Sequence, residues 1–306
     1  MVAPEGTIAF PFAGDEAETW YRITGELRPN GPAPLVVLHG GPGGTHDYLL
    51  ALTDLAGRRA VVHYDQLGNG RSTRYPDRGA EFWTPELFVR ELHNLVRALG
   101  IADHHILGQS WGGFLAQEYA LTQPAGLRSL VLADTAASWA DFATEAGKLR
   151  ELLPPDIRAT LARYEEAGTY DDPEYMQACL AFYDRHVCRI PWPPEVRATF
   201  DCLDEDPTVY RTMNGPSEFH IIGSCKDWQV KDRLHEISVP TLLVSGRHDE
   251  ATPALQETLL AGIAGSEWVC FEESSHMPHV EEREAYMRVV GDWLATHDRS
   301  GSEEEV

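Results

Sequence analysis

Residues 104–121 read "HHILGQSWGGFLAQEYAL". The first six form a predicted strand, and "FLAQEYAL" has the composition of a helix that Pro124 brings to an end. Between them lies Gly108-Gln109-Ser110-Trp111-Gly112, a Gly-x-Ser-x-Gly pattern at a strand-to-helix turn. A sharp turn of this kind lifts a serine out of the chain path, and small residues two before and two after relieve its crowding. The pattern alone is weak. Its position between strand and helix makes Ser110 a candidate nucleophile rather than a turn residue.

The rest of the chain repeats the strand–helix rhythm. Residues 7–27 predict two short strands around a Gly-Asp turn. Predicted strands follow at 34–41, 59–66 and 127–135, with a helix at 86–100 that stops on Gly100. Residues 138–232 break the rhythm with proline-punctuated helices. Strands at 239–250 and 266–276 and a helix from Arg283 resume it. The expected fold class is α/β: a mostly parallel sheet made of residues 1–137 and 233–297, with a helical cap inserted at 138–232. Residues 298–306 are expected to be a disordered polar tail. In such sheets chemistry lies beyond the carboxyl ends of the strands.

A serine hydroxyl needs a base, and the base needs an orienting acid. In a fold with this elbow the acid and histidine follow in chain order at later strand ends. Asp249 ends "LLVSGRHD" and His276 ends "VCFEESSH". Asp134, at the end of "LVLAD", is the rival acid, and His279 the rival base; Glu250 is expected to point away from the base. The oxyanion donors are expected to be the N–H groups of Trp111 and of Gly41, the latter in "HGGPGG" at 39–44 with Gly40 as its neighbour.

Composition narrows the partners. Of 306 residues, 25 are Lys or Arg and 48 are Asp or Glu, a formal net charge of −23. Such a chain repels nucleic acid and anionic membrane, and suits a cationic ligand. The five cysteines form no CxxC pair, so neither a disulfide framework nor a zinc site is expected, and no cofactor. The N-terminus "MVAPEGTIAF" has no basic segment followed by an apolar run, and no apolar run is long enough to span a membrane. The cytoplasm is the expected location. Oligomeric state is not legible.

Four motif groups carry a resemblance along nearly the whole chain: "HGGPGG", "YDQLGNGRS" at 64–72, "GQSWGG", and the pair "GRHDEATP" and "SSHMPHVEE". With them the chain resembles the proline iminopeptidase family of α/β hydrolases, which includes tricorn-interacting aminopeptidases and amino-acid amidases. "MNGPSEF" at 213–219 and "KDWQV" at 226–230 resemble the tricorn-interacting branch. The resemblance implies an α/β-hydrolase fold with Ser110, Asp249 and His276 as nucleophile, acid and base. It implies that Glu218 and Glu250 bind the free amine of small peptides or amino-acid amides, from which an N-terminal proline or other small or hydrophobic residue is released. Gly113 stands where many proline-specific members have serine, which argues against strict proline specificity. "DQLGNGRS" is expected to serve structure. A carboxylesterase or lactonase on the same triad, and a non-catalytic binding protein, are the competing readings.

Overall fold

The computed structural model describes residues 4–12, 14–28 and 30–298. Eight strands form one sheet: β1 (Glu5–Phe12), β2 (Asp15–Thr24), β3 (Leu35–Leu38), β4 (Val61–Tyr64), β5 (His104–Gln109), β6 (Leu127–Ala133), β7 (Thr241–Gly246) and β8 (Glu267–Phe271). Their spatial order is β1-β2-β4-β3-β5-β6-β7-β8. β1, β2 and β4 pair antiparallel, and every pair from β4 through β3 to β8 is parallel. Every residue of β3, β4, β5 and β7 is buried, which explains why these strands read as short apolar runs without alternation.

Helices cover both faces. α1 (Pro85–Ala98) starts at Thr84, whose hydroxyl accepts from the Leu87 N–H, and buries Leu87, Phe88, Leu92, Leu95 and Val96 along one stripe. Gly100, with φ of +67°, takes the chain out of it. α2 (Trp111–Leu121) follows β5 without a linker beyond Ser110 and is almost wholly buried. Between β6 and β7 lie five α-helices: α3 (Trp139–Arg150), α4 (Pro155–Ala167), α5 (Pro173–His186), α6 (Pro194–Glu205) and α7 (Thr208–Met213). Pro is the first residue of α4, α5 and α6, where its missing N–H costs nothing. The two ends of this insert are tied together: Val230 N–H donates to Ala137 O at 2.9 Å and Trp139 N–H to Trp228 O at 3.0 Å. The Trp228 indole in "KDWQV" reaches Glu118 of α2 at 2.7 Å, fastening the insert to the sheet layer.

Several elements escaped the sequence reading, including a 3₁₀ helix at Lys231–Glu236 and the short helix at Pro278–Glu281. A longer 3₁₀ helix spans Asp47–Gly57, and α8 (Pro253–Gly262) joins β7 to β8. Both are rich in apolar residues with few charged ones between them, so no contrast of polar and apolar faces marks a period. The chain ends in α9 (Pro278–Glu281) and α10 (Arg283–Thr296). Asp298, which the sequence places in the polar tail, instead forms a two-pronged ion pair with the buried Arg59 at 2.8 and 3.0 Å and accepts from Ala33 N–H at 3.0 Å. Residues 299–306 of that expected tail lie outside the described residues.

Candidate active site

Ser110 sits between β5 and α2 with φ of 57° and ψ of −123°, a conformation L-residues rarely hold. Its surroundings require the neighbouring glycines. A Cβ on Gly108 would lie 2.1 Å from Gly112 O, one on Gly112 the same distance from Leu38 O, and one on Gly113 would strike Thr135 at 2.5 Å. The turn is clamped from the next strand: Ser110 N–H donates to Ala133 O at 2.9 Å, and Thr135 Oγ1 donates to Ser110 O at 2.8 Å.

The loop after β3 reaches the same place. Gly40 packs so closely that a Cβ there would meet Ser110 Cβ and the Tyr48 hydroxyl, each at 2.9 Å. Gly40 N–H already donates to Tyr48 Oη at 2.7 Å, so it has no free donor for a ligand. Gly41, next along the loop with φ of +114°, lines the cleft beside Ser110. Trp111 opens α2, so its N–H has no acceptor within the helix. Its indole donates to Gln66 Oε1 at 2.8 Å, and Gln66 in turn donates to His39 O at 2.8 Å. Asp65 accepts from the N–H groups of His46 and Arg71, each at 3.0 Å. "YDQLGNGRS" therefore braces Trp111 and the end of β3 that leads into the Gly40–Gly41 loop.

Asp249 and His276 lie three and five residues beyond the ends of β7 and β8, because these strands stop short of the expected ranges 239–250 and 266–276. The adjoining loops explain how they meet. A Cβ on Gly246 would lie 2.1 Å from Ser275 O, so only glycine lets the histidine loop cross there. Glu281 accepts from Ser275 N–H at 2.7 Å and Glu282 from Ser274 Oγ at 2.6 Å, a clamp from the "VEE" of the second motif that sequence reading left without a role. His276 Nδ1–H then donates to Asp249 Oδ1 at 2.7 Å. Gln109 adds a further brace: it donates to His276 O at 2.8 Å and accepts from Tyr48 Oη, which links the histidine loop to Gly40.

The rivals are elsewhere. His279 is buried against Tyr48 O, and burial depresses its pKa to about 3, so it is a neutral packing residue. Asp134 does not reach the histidine; it lies against Asp249. Glu250, expected to point away from the base, does not: its Oε1 is 3.6 Å from His276 Nε2, on the side of the ring opposite Asp249.

Ser110 and His276 share a cleft of about 410 Å³ with Gly41, Glu218, Glu250 and the apolar side chains of Phe200, Leu203 and Met277. A second lobe of about 260 Å³ opens from Ser110 and Glu218 toward Phe114, Trp139 and Phe142. Trp139 and Phe142 of the insert line this lobe, whereas Tyr175 and Phe182 are buried in the core and line neither lobe. Phe114 and Phe200 were missed, because no local pattern distinguishes a lining aromatic from a packing one. Glu218 is half-buried and accepts from Tyr210 Oη at 2.6 Å. The turn carrying it is held by Asn214, which accepts from the Trp139 indole at 3.1 Å and donates to Ser217 O at 3.1 Å.

Electrostatics set the protonation states. Burial opposes charge on His276, but the Asp249 carboxylate outweighs it, with Glu218 and Glu281 adding, and the imidazole is raised above its ordinary value. A base must be neutral to accept a proton. Activity is therefore expected to rise through an acid limb of kcat/KM centred above 6.5, the ordinary histidine value, and a pH–rate profile measures it. Burial raises Glu218, and raises Glu250 well above the carboxylate range with Glu218 and Asp249 adding to it. Both Glu250 oxygens are buried without a hydrogen-bond partner among the described residues. No cluster of metal-ligating residues is present among them, and none of the described helices is long and apolar enough to cross a membrane.

Residues 33–283 match the family described by the alpha/beta hydrolase fold. The proline iminopeptidase of Lactobacillus helveticus is 39% identical over 297 residues, covering 94% of this chain and 97% of that one. The crystal structure of VinJ superposes with a TM-score of 0.92 at 51% identity, covering 96% of this chain and all of the other. That of the Mycobacterium smegmatis proline iminopeptidase gives 0.86 at 44%, covering 96% and 99%. With this fold, and with similarity running over nearly the whole of both chains, the protein belongs to the proline iminopeptidase family of α/β hydrolases.

Proposed function

We propose that the protein is a serine aminopeptidase that releases the N-terminal residue, proline or another small or hydrophobic one, from small peptides or amino-acid amides. One observation supports this reading: two acidic side chains, half-buried Glu218 and buried Glu250, line the same cleft as Ser110 and His276, and neither Glu250 oxygen has a hydrogen-bond partner among the described residues. A buried carboxyl group without a hydrogen-bond donor, beside a second carboxyl group, favours a cationic ligand. A substrate ammonium supplies the countercharge that ionises them, and its binding releases protons.

In this reading Ser110 Oγ attacks the carbonyl of the terminal residue while His276 Nε2 takes its proton. The N–H groups of Gly41 and Trp111 receive the developing oxyanion. His276 then protonates the departing amine, leaving an acyl-enzyme that water hydrolyses with His276 again as base. Asp249 keeps the imidazole in the required tautomer. The insert at 138–232 acts as a cap: Phe200, Leu203 and Glu218 reach the cleft from it. The cytoplasm is the compartment we assign.

A panel of free and N-acetylated aminoacyl amides, with matching esters, tests the reading. Free amides are expected to turn over and acetylated ones to lose activity by about 100-fold or more, since a blocked amine leaves the carboxyl groups unpaired. Equal turnover of blocked and free amides would overturn the amine-binding role of Glu218 and Glu250, and turnover of esters alone would show an esterase instead.

A further inference from the structure

Asp134 follows β6 directly and holds a left-handed backbone, with φ of +51°. Its N–H donates to Val244 O at 2.8 Å, and its Oδ1 accepts from Gly246 N–H at 3.2 Å. These two bonds to β7 aim its carboxyl at the turn beyond that strand, where Asp249 stands. Asp249 is the side chain that acts most strongly on the Asp134 carboxyl. Asp249 Oδ1 is already occupied by His276 Nδ1–H at 2.7 Å and Ala251 N–H at 2.8 Å. Asp134 Oδ2 and Asp249 Oδ2 are both buried, and neither has a conventional donor among the described residues. Two carboxylates in such contact cannot both be ionised, and one shared proton satisfies both oxygens.

We propose that Asp134 is a positioning residue whose carboxyl is protonated, donates its O–H to Asp249 Oδ2, and so holds Asp249 against His276. The proton resides on Asp134 because Asp249 has two donors on its other oxygen, one of them the histidine, whereas Asp134 has only Gly246. No cation is among the groups that act most strongly on Asp134. Burial and Asp249 push its carboxyl well above the carboxylate range, Glu281 acts in the same direction, and Tyr48 and Tyr286 are the other titratable groups near it. The proposal rests on the reading of Asp249 as the acid that orients His276.

Asp134→Asn and Asp134→Gly test it. Asparagine keeps a neutral donor toward Asp249 and an acceptor for Gly246, and it tolerates the left-handed backbone. Glycine removes the carboxyl without straining that backbone. Asp134→Asn is expected to keep the acid limb of kcat/KM where the wild type has it and to lose about threefold in kcat. Asp134→Gly is expected to lose about tenfold or more and to move the limb upward, because Asp249 without its donor draws a proton onto His276 more strongly. The infrared spectrum of the wild type in neutral D₂O is expected to show a protonated-carboxyl stretch that Asp134→Asn abolishes. A downward shift of the limb in Asp134→Asn would mean that a negative charge had been removed, and would overturn the proposal. So would a wild-type spectrum with no carboxyl band that depends on Asp134. The infrared arm does not depend on turnover. Persistent activity in Ser110→Ala would sink the serine mechanism and leave the proton assignment standing.

Discussion

Ser110→Ala is expected to lower kcat by up to roughly a million-fold, with the fold intact. The substitution is unusually clean here. Ser110 already carries a Cβ at φ of 57°, so alanine keeps the same backbone strain and the same contact with Gly40. Only the hydroxyl goes. His276→Ala is expected to fall to a similar level, because the two residues act as a unit and removing either disables both. Steady-state kinetics on a free aminoacyl amide, with unchanged thermal unfolding as the control, measures this. Full activity in His276→Ala together with loss in His279→Ala would move the base to the buried neighbour.

The second large effect concerns Glu218 and Glu250. Glu250→Gln and Glu218→Gln are each expected to reduce kcat/KM on free-amine substrates by roughly 100-fold, the scale of leaving one member of a desolvated charge pair alone. Esters without an amine are expected to lose far less. The two variants differ in a second readout. Glu218 is among the groups that raise His276, so Glu218→Gln is expected to lower the acid limb of the pH profile as well. Comparable losses on both substrate classes would assign these side chains to folding instead of recognition.

Much of the fold was legible in the sequence. β5 begins and ends where the opening stretch says it does, and the proline-rich interruption after β6 reads correctly as helices. Such features follow from local physics: a buried parallel strand is a continuous apolar run, and proline starts helices that it cannot extend. The 3₁₀ helix at 47–57 and α8 were not legible, because tertiary burial and not amphipathic period stabilises them.

Ser110, Asp249 and His276 could be named from residue type, order and strand ends, before any distance was known. Gly41 and Trp111 followed from the same topology. What the sequence by itself determined was therefore the set of candidate reacting groups and their order along the sheet. Which neighbours surround them was decided only by the tertiary structure. Asp134, a rival acid by position, lies against Asp249 and not His276. Glu250, a neighbour of the acid in sequence, faces the opposite nitrogen of the histidine at 3.6 Å. Gln109, Glu281 and Glu282 are unremarkable in one dimension, yet they hold the histidine loop. The reason is physical. A strand fixes which residue leaves its carboxyl end, but the loop beyond it is aimed by bonds to residues tens or hundreds of positions away.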